Sequence, residues 1–183
     1  AWAWLPLGIR DAFTCAAAST AAVDGDIHFA FGDAEKGTAG FRITHQQAVA
    51  AQAVALAAGS PASRVVAFGE VAPVAMMLGS ADLLRAWVLS TLAGLATDDE
   101  HHARLRDTLL VFLQAGGSYK ATAEQLTLHK NTVQYRIRKA QESLGRPVVH
   151  NRHDVELALQ ASQWLGSSVL QPPAAARDRE RAP

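Results

Sequence analysis

Between residues 129 and 139 the chain reads HKNTVQYRIRK, and the side chains that can do chemistry stand there at helical spacing. His129, Lys130, Asn131, Gln134, Tyr135 and Arg138 fall on one outer face. Val133 and Ile137 fall on the opposite, apolar side. Asn and Gln can bond an adenine edge with two hydrogen bonds, and Arg or Lys can do the same to guanine. Thr132, near the helix start, can offer its hydroxyl to a phosphate, where the backbone N–H groups and the helix dipole also favour negative charge. Arg136 and Lys139, with Lys120 and Arg146 nearby, suit phosphate contacts, which supply affinity and salt dependence without naming a sequence.

Such a helix needs elements that aim it. Upstream, SYKATAEQL at 118–126 gives a short helix pattern with Ala123 and Leu126, followed by a four-residue turn. The small Ala123 lets two helices approach, and Leu126, Leu128, Val133 and Ile137 sit at inward spacings. Together they predict a helix-turn-helix, with its second helix over about 131–144 lying in the DNA major groove. Thr127 stands where Gly is favoured. A β-branched residue is strained at positive φ, so a turn of a different form is expected.

Further out, the periodicity predicts helices over 72–78, 81–92 and 99–114, the last with Leu105, Leu109, Phe112 and Leu113 on one face. Residues 115–117 break it and Ser118 can cap the next helix. Gly145, Arg146 and Pro147 end the recognition helix, and a final helix over about 154–165 places Val155, Ala158, Leu159, Ser162 and Leu165 together. Before residue 72, apolar segments at 1–7, 26–31 and 63–68 read as strands, alternating with helices over 11–20 and 45–58. Thr44 is the expected cap of the second of these helices. This βα alternation predicts a small α/β unit.

Charge supports the division. Residues 1–100 hold 5 Lys/Arg against 10 Asp/Glu, whereas 101–152 hold 9 against 3, although the whole chain of 183 residues is formally neutral. Positive charge therefore gathers where the helix-turn-helix pattern lies, as a nucleic-acid footprint requires. A basic amphipathic helix that packs in an all-α domain and never meets DNA has the same apolar pattern. The Asn, Gln and Arg face and the charge split favour DNA.

Other chemistry finds little support. GDAEKGT at 32–38 superficially resembles a phosphate loop, but its Lys36 precedes the second Gly instead of following it. His101, His102, His150 and His153 lack partners at ligand spacing, so no metal site is expected. No G-x-S-x-G elbow is present, and no cofactor is expected. Trp2, Trp4, Trp87 and Trp164 read as core or interface residues. Cys15 is the only cysteine. No apolar run approaches the roughly 18–20 residues that span a bilayer, and AWAWLPLG does not read as a signal peptide. A cytoplasmic, bacterial-type protein is expected, and the absence of an initiator Met suggests a fragment. The tail, QPPAAARDRERAP, has a disordered composition.

With HKNTVQYRIRKA at 129–140, LRDTLLVFLQAGGSYKATAEQL at 105–126 and LGRPV at 144–148, the chain resembles the C-terminal region of PucR-type transcriptional regulators. Upstream, residues 31–55 and SRVVAFGEV at 63–71 resemble the GGDEF-like domain that precedes it in that family. The resemblance implies an α+β architecture. A degenerate GGDEF-like α/β domain would occupy 1–97, a Fis-like helix-turn-helix domain 98–168, and a disordered tail 169–183. It also implies a homodimeric regulator of double-stranded DNA whose effector is sensed outside this chain. By position His129, Asn131, Thr132, Val133, Tyr135 and Arg136 match the family string, with Tyr135 and Arg136 shared between packing and DNA contact. No Gly-Gly-Asp/Glu-Glu-Phe segment stands upstream, so the first domain is expected to be non-catalytic. The alternatives are a protein-interaction or dimerisation module and a nucleotide-processing enzyme, the latter lacking assignable metal ligands.

Overall fold

A computed structural model describes residues 1–4, 28–58 and 65–173. Two compact units divide the chain, Ala1–Met76 and Met77–Pro183. Each is described by itself.

In the first unit, strands β1 (Phe29–Phe31) and β2 (Val65–Ala67) pair in parallel, with Phe29 opposite Val65 and Phe31 opposite Ala67. Parallel neighbours need a crossover, and helix α1 (Gly37–Ala58) lies within it and packs on both strands. The buried face of α1 is Gly40, Ala48, Ala51, Val54 and Ala55, mostly residues small enough to bring the helix close to the sheet. Helix α2 (Phe68–Met77) follows β2 directly and carries Pro73 inside it. It starts four residues ahead of the expected position, because Pro73 occupies its second turn and not its first.

The predicted cap at Thr44 is not there. Helix α1 already begins at Gly37, whose φ is +72°. Thr44 lies within the helix, and its hydroxyl donates to the Asp33 carbonyl at 2.8 Å. Gln47 Oε1 accepts from the Asp33 backbone N–H at 2.8 Å. The loop 32–36 is thereby laid along α1, so closely that a Cβ on Gly32 would stand 2.1 Å from the Thr44 carbonyl oxygen. The polar GDAEKGT segment is thus a loop over 32–36 that runs into, and is tied to, its own helix.

Trp2 and Trp4 lie in an irregular segment, 44% and 48% exposed, so they are not core residues. Trp4 stacks on Phe41 and Trp2 meets the His45 ring edge-on. The rest of the strand expected over 1–7, the helix over 11–20, the first residues of the strand over 26–31 and the far end of the tail lie outside the described residues.

The second unit is helical: α3 (Ala81–Leu92), α4 (Glu100–Gln114), α5 (Tyr119–Gln125), α6 (Lys130–Leu144) and α7 (Arg152–Leu165). Its core joins Leu84, Val88 and Leu92 of α3 to Leu105, Leu109 and Leu113 of α4 and Val155, Leu159 and Leu165 of α7. This unit begins ahead of the boundary expected at residue 98, because α3 packs on α7, and the 3-10 turn Ala93–Ala96 packs on α6. It also runs past residue 168. Val169 and Leu170 are buried, and Gln171 accepts from the Asp98 N–H and donates to the Ala96 carbonyl. The segment 169–171 is therefore part of the fold and not of a tail.

Arg106 is buried at the centre, where its Nη1 donates to the carbonyls of Leu95 at 2.9 Å and Thr97 at 2.6 Å. Those carbonyls lie at the end of the 3-10 turn, where a buried acceptor left unpaired costs about 1–3 kcal/mol. Among the described residues, no single helix is long and apolar enough to cross a membrane. Among them, too, no group of three or more His, Cys, Asp or Glu is placed to hold a metal ion.

Candidate nucleic-acid interface

Three consecutive helices build the candidate interface, and each junction is set by local chemistry. Asp99 caps α4 by accepting from the His102 backbone N–H at 2.8 Å, and its carboxylate also meets His102 Nδ1 at 2.7 Å. Desolvation pushes the Asp99 carboxyl up, but the hydrogen bonds and charge of His102 outweigh it, so it sits below the usual carboxylate range. At the far end of α4, Gly117 N–H bonds the Phe112 carbonyl and Gly116 N–H bonds the Leu113 carbonyl, with both glycines at positive φ. This is a Schellman closure, in which glycine avoids the Cβ penalty. Ser118 then caps α5, accepting from the Ala121 N–H at 3.2 Å, and Phe112 packs against Tyr119 with ring centroids 4.7 Å apart.

The turn between α5 and α6 repeats the closure without glycine. Leu128 N–H bonds the Ala123 carbonyl at 2.9 Å and Thr127 N–H bonds the Glu124 carbonyl at 3.3 Å. Thr127 takes φ +54°, the left-handed region. The expectation of a differently shaped turn is therefore corrected. Two backbone hydrogen bonds hold the left-handed geometry and impose it on a β-branched residue, which costs about 1–2 kcal/mol.

Helix α6 starts at Lys130, with His129 as its N-cap: His129 Nδ1 accepts from the Asn131 N–H at 3.2 Å. An accepting Nδ1 leaves the proton of the neutral ring on Nε2, so His129 has a remaining donor. Val133, Ile137, Ala140 and Leu144 are buried against α4, α5 and the Ala93–Ala96 turn. Gly94 permits the last of these contacts, since a Cβ there would stand 2.8 Å from the Ser143 carbonyl oxygen. Gly145, at φ +67°, closes the helix. Ala123 is only partly buried, as are Leu126 and Leu128.

Asn131, Tyr135, Arg138 and Glu142 follow the i, i+4, i+7, i+11 stripe opposite that buried face, with Gln134 beside them, and all five are exposed. Lys130 and His129 are exposed at the helix start, and Thr132 is half-buried next to them. The Arg138 guanidinium lies 5.9 Å from the Tyr135 ring centroid. Sequence reasoning missed Glu142. Its carboxylate meets Lys139 Nζ at 2.7 Å and Arg138 Nε at 3.7 Å. The hydrogen bond from Lys139 lowers the Glu142 carboxyl below its ordinary range, and the same bond raises the Lys139 ammonium. The spacings i−3 and i−4 were the available signal.

Several of the basic residues are engaged by hydrogen bonds within the unit. Arg136 lies on the flank of α6 and donates from Nη1 to Thr108 Oγ1 of α4 at 3.2 Å. Thr108, fully buried, donates its own hydroxyl to the Arg104 carbonyl at 2.8 Å. Beside it, desolvation raises the Asp107 carboxyl against the opposing pull of Arg106 and Arg136. Arg146 donates to the Thr91 carbonyl at 3.1 Å and Arg152 to the Leu113 carbonyl at 2.6 Å. Much of the positive excess of 101–152 is thus spent on closing helix ends within the unit. Lys120 pairs loosely with Glu124 at 4.0 Å on α5. Lys130 makes no ion pair among the described residues.

A short helix, a Schellman turn and a second helix with a polar outer stripe define a helix-turn-helix domain. Comparison with known proteins is specific about its type: residues 105–161 match the PucR C-terminal helix-turn-helix domain. The chain is also 35% identical over 89 residues to the purine catabolism regulatory protein of Bacillus subtilis (strain 168), a match that covers 46% of this chain. It spans only 17% of the length of that protein. The segment matched by the PucR C-terminal domain, 105–161, carries Thr108, Thr127, His129 and the whole outer stripe of α6.

Proposed function

We propose that this chain is part of a bacterial, cytoplasmic, PucR-type transcriptional regulator and that α6 reads double-stranded DNA in the major groove. The exposed stripe Asn131, Tyr135, Arg138 with Gln134 beside it, mounted on a helix whose other face is buried, carries this reading. Asn131 and Gln134 are assigned to adenine edges, and Lys130 and Arg138 to guanine or phosphate. His129 Nε2–H and the Thr132 hydroxyl meet phosphate at the helix N-terminus, and Lys139 meets the backbone further along. Tyr135 supports Arg138 through its ring face.

Arg136 is assigned a positioning role, since its guanidinium is engaged by Thr108. The β1–α1–β2 unit is read as a degenerate, non-catalytic GGDEF-like domain that serves dimerisation or signal relay. The effector is sensed by a region outside this chain. The related regulator of purine catabolism and the PucR-type domain match support this reading.

The test is fluorescence-anisotropy binding of the chain to selected and random-sequence duplexes at several salt concentrations. Salt-sensitive binding with a preferred sequence is expected. Binding that is absent at low salt in a folded protein overturns the proposal.

A further inference from the structure

Glu142 is a carboxylate standing on the very stripe that faces DNA in the reading above, on which the following rests. It is three turns from the start of α6, half-exposed, and engages two cations of that helix at once. Lys139 Nζ lies 2.7 Å from one carboxylate oxygen and Arg138 Nε lies 3.7 Å from the other. The 2.7 Å contact draws the Lys139 ammonium along the helix toward Glu142. Of the cations on α6, Arg136 is already tied to Thr108, which leaves Lys130 as the one outside these contacts among the described residues.

We propose that Glu142 is an affinity-limiting residue of the interface: it holds Lys139 and Arg138 in the unbound domain, where a DNA phosphate must compete for them. The consequence is asymmetric. Duplexes of arbitrary sequence bind through phosphates alone, so they are restrained most by a carboxylate that occupies the phosphate-seeking cations. A preferred duplex also gains base-edge bonds from Asn131 and Gln134 and loses a smaller share. The carboxylate therefore limits affinity for arbitrary sequence, a repulsive element of the kind that specificity uses.

The experiment measures the affinity of wild type, Glu142→Gln, Lys139→Gln and the double variant for a labelled random-sequence duplex across a salt series, with thermal melting as the check on folding. Glu142→Gln is expected to bind severalfold tighter with a steeper salt dependence, and this gain is expected to shrink in the Lys139→Gln background. Unchanged or weaker binding by Glu142→Gln, with wild type binding in a salt-sensitive manner, overturns the role of Glu142 and leaves the DNA-reading helix standing. If neither wild type nor Glu142→Gln binds any duplex at low salt, both fall together.

Discussion

Thr127→Gly isolates the energetics of the turn that sets α6 against α5. Thr127 is exposed and adopts φ +54°, so the change removes a steric penalty without removing a buried contact. The left-handed conformation costs an L-residue about 1–2 kcal/mol, with β-branching at the upper end. Glycine gives back about 0.4–1 kcal/mol through the added freedom of the unfolded chain. The difference is a net stabilisation of roughly 0.5–1 kcal/mol. With an m-value of about 2 kcal/mol/M, the urea midpoint should rise by roughly 0.3–0.5 M at constant m. Thr127→Ala keeps a Cβ in the left-handed region and should gain much less. A lower midpoint for Thr127→Gly, or an equal gain for both variants, would refute the argument that backbone strain is stored at this turn. DNA affinity should be nearly unchanged, because the two backbone bonds that shape the turn remain.

Arg136→Ala breaks the link from α6 to Thr108, so it should lower stability by about 1 kcal/mol and weaken binding to all sequences alike; a selective loss for one sequence, at unchanged melting temperature, would make Arg136 a reader. Asp99→Ala removes the α4 cap and should cost about 0.5–2 kcal/mol at neutral pH. Because the folded Asp99 carboxyl lies below its ordinary value of 3.8, its stabilisation is present above that value and disappears as pH falls through the lower, folded one. Acid unfolding followed by circular dichroism should therefore show the stability gap between wild type and Asp99→Ala narrowing progressively as pH falls below 3.8; a gap that stays constant on further acidification contradicts this.

What was readable in the sequence was the short-range part. Ser118 as a cap, Val133 and Ile137 as the buried face of α6, and Gly145 as its stop depend on neighbours within a turn or two, and periodicity reports such neighbours directly. The second unit of helices and the stripe at Asn131, Gln134, Tyr135 and Arg138 followed from the same signal. Thr44 was misread because it has capping chemistry, yet its hydroxyl is claimed by Asp33, a partner from a loop whose path no local pattern encodes. Arg136 and Arg146 resisted for a related reason. An arginine bound for phosphate and one bound for a distant hydroxyl or carbonyl look alike until packing brings Thr108 or Thr91 beside it. Thr127 shows the converse, where the strain was legible but the two hydrogen bonds that enforce it were not.

Everything assigned to α6 rests on one comparison: wild type against Asn131→Ala, titrated with a duplex selected for tight binding and with a random-sequence duplex in the same salt. The account predicts that wild type prefers the selected duplex and that Asn131→Ala loses about 1–3 kcal/mol of that preference while binding the random duplex nearly as before. Equal loss on both duplexes, or no loss on either, would contradict the assignment of this face to reading bases.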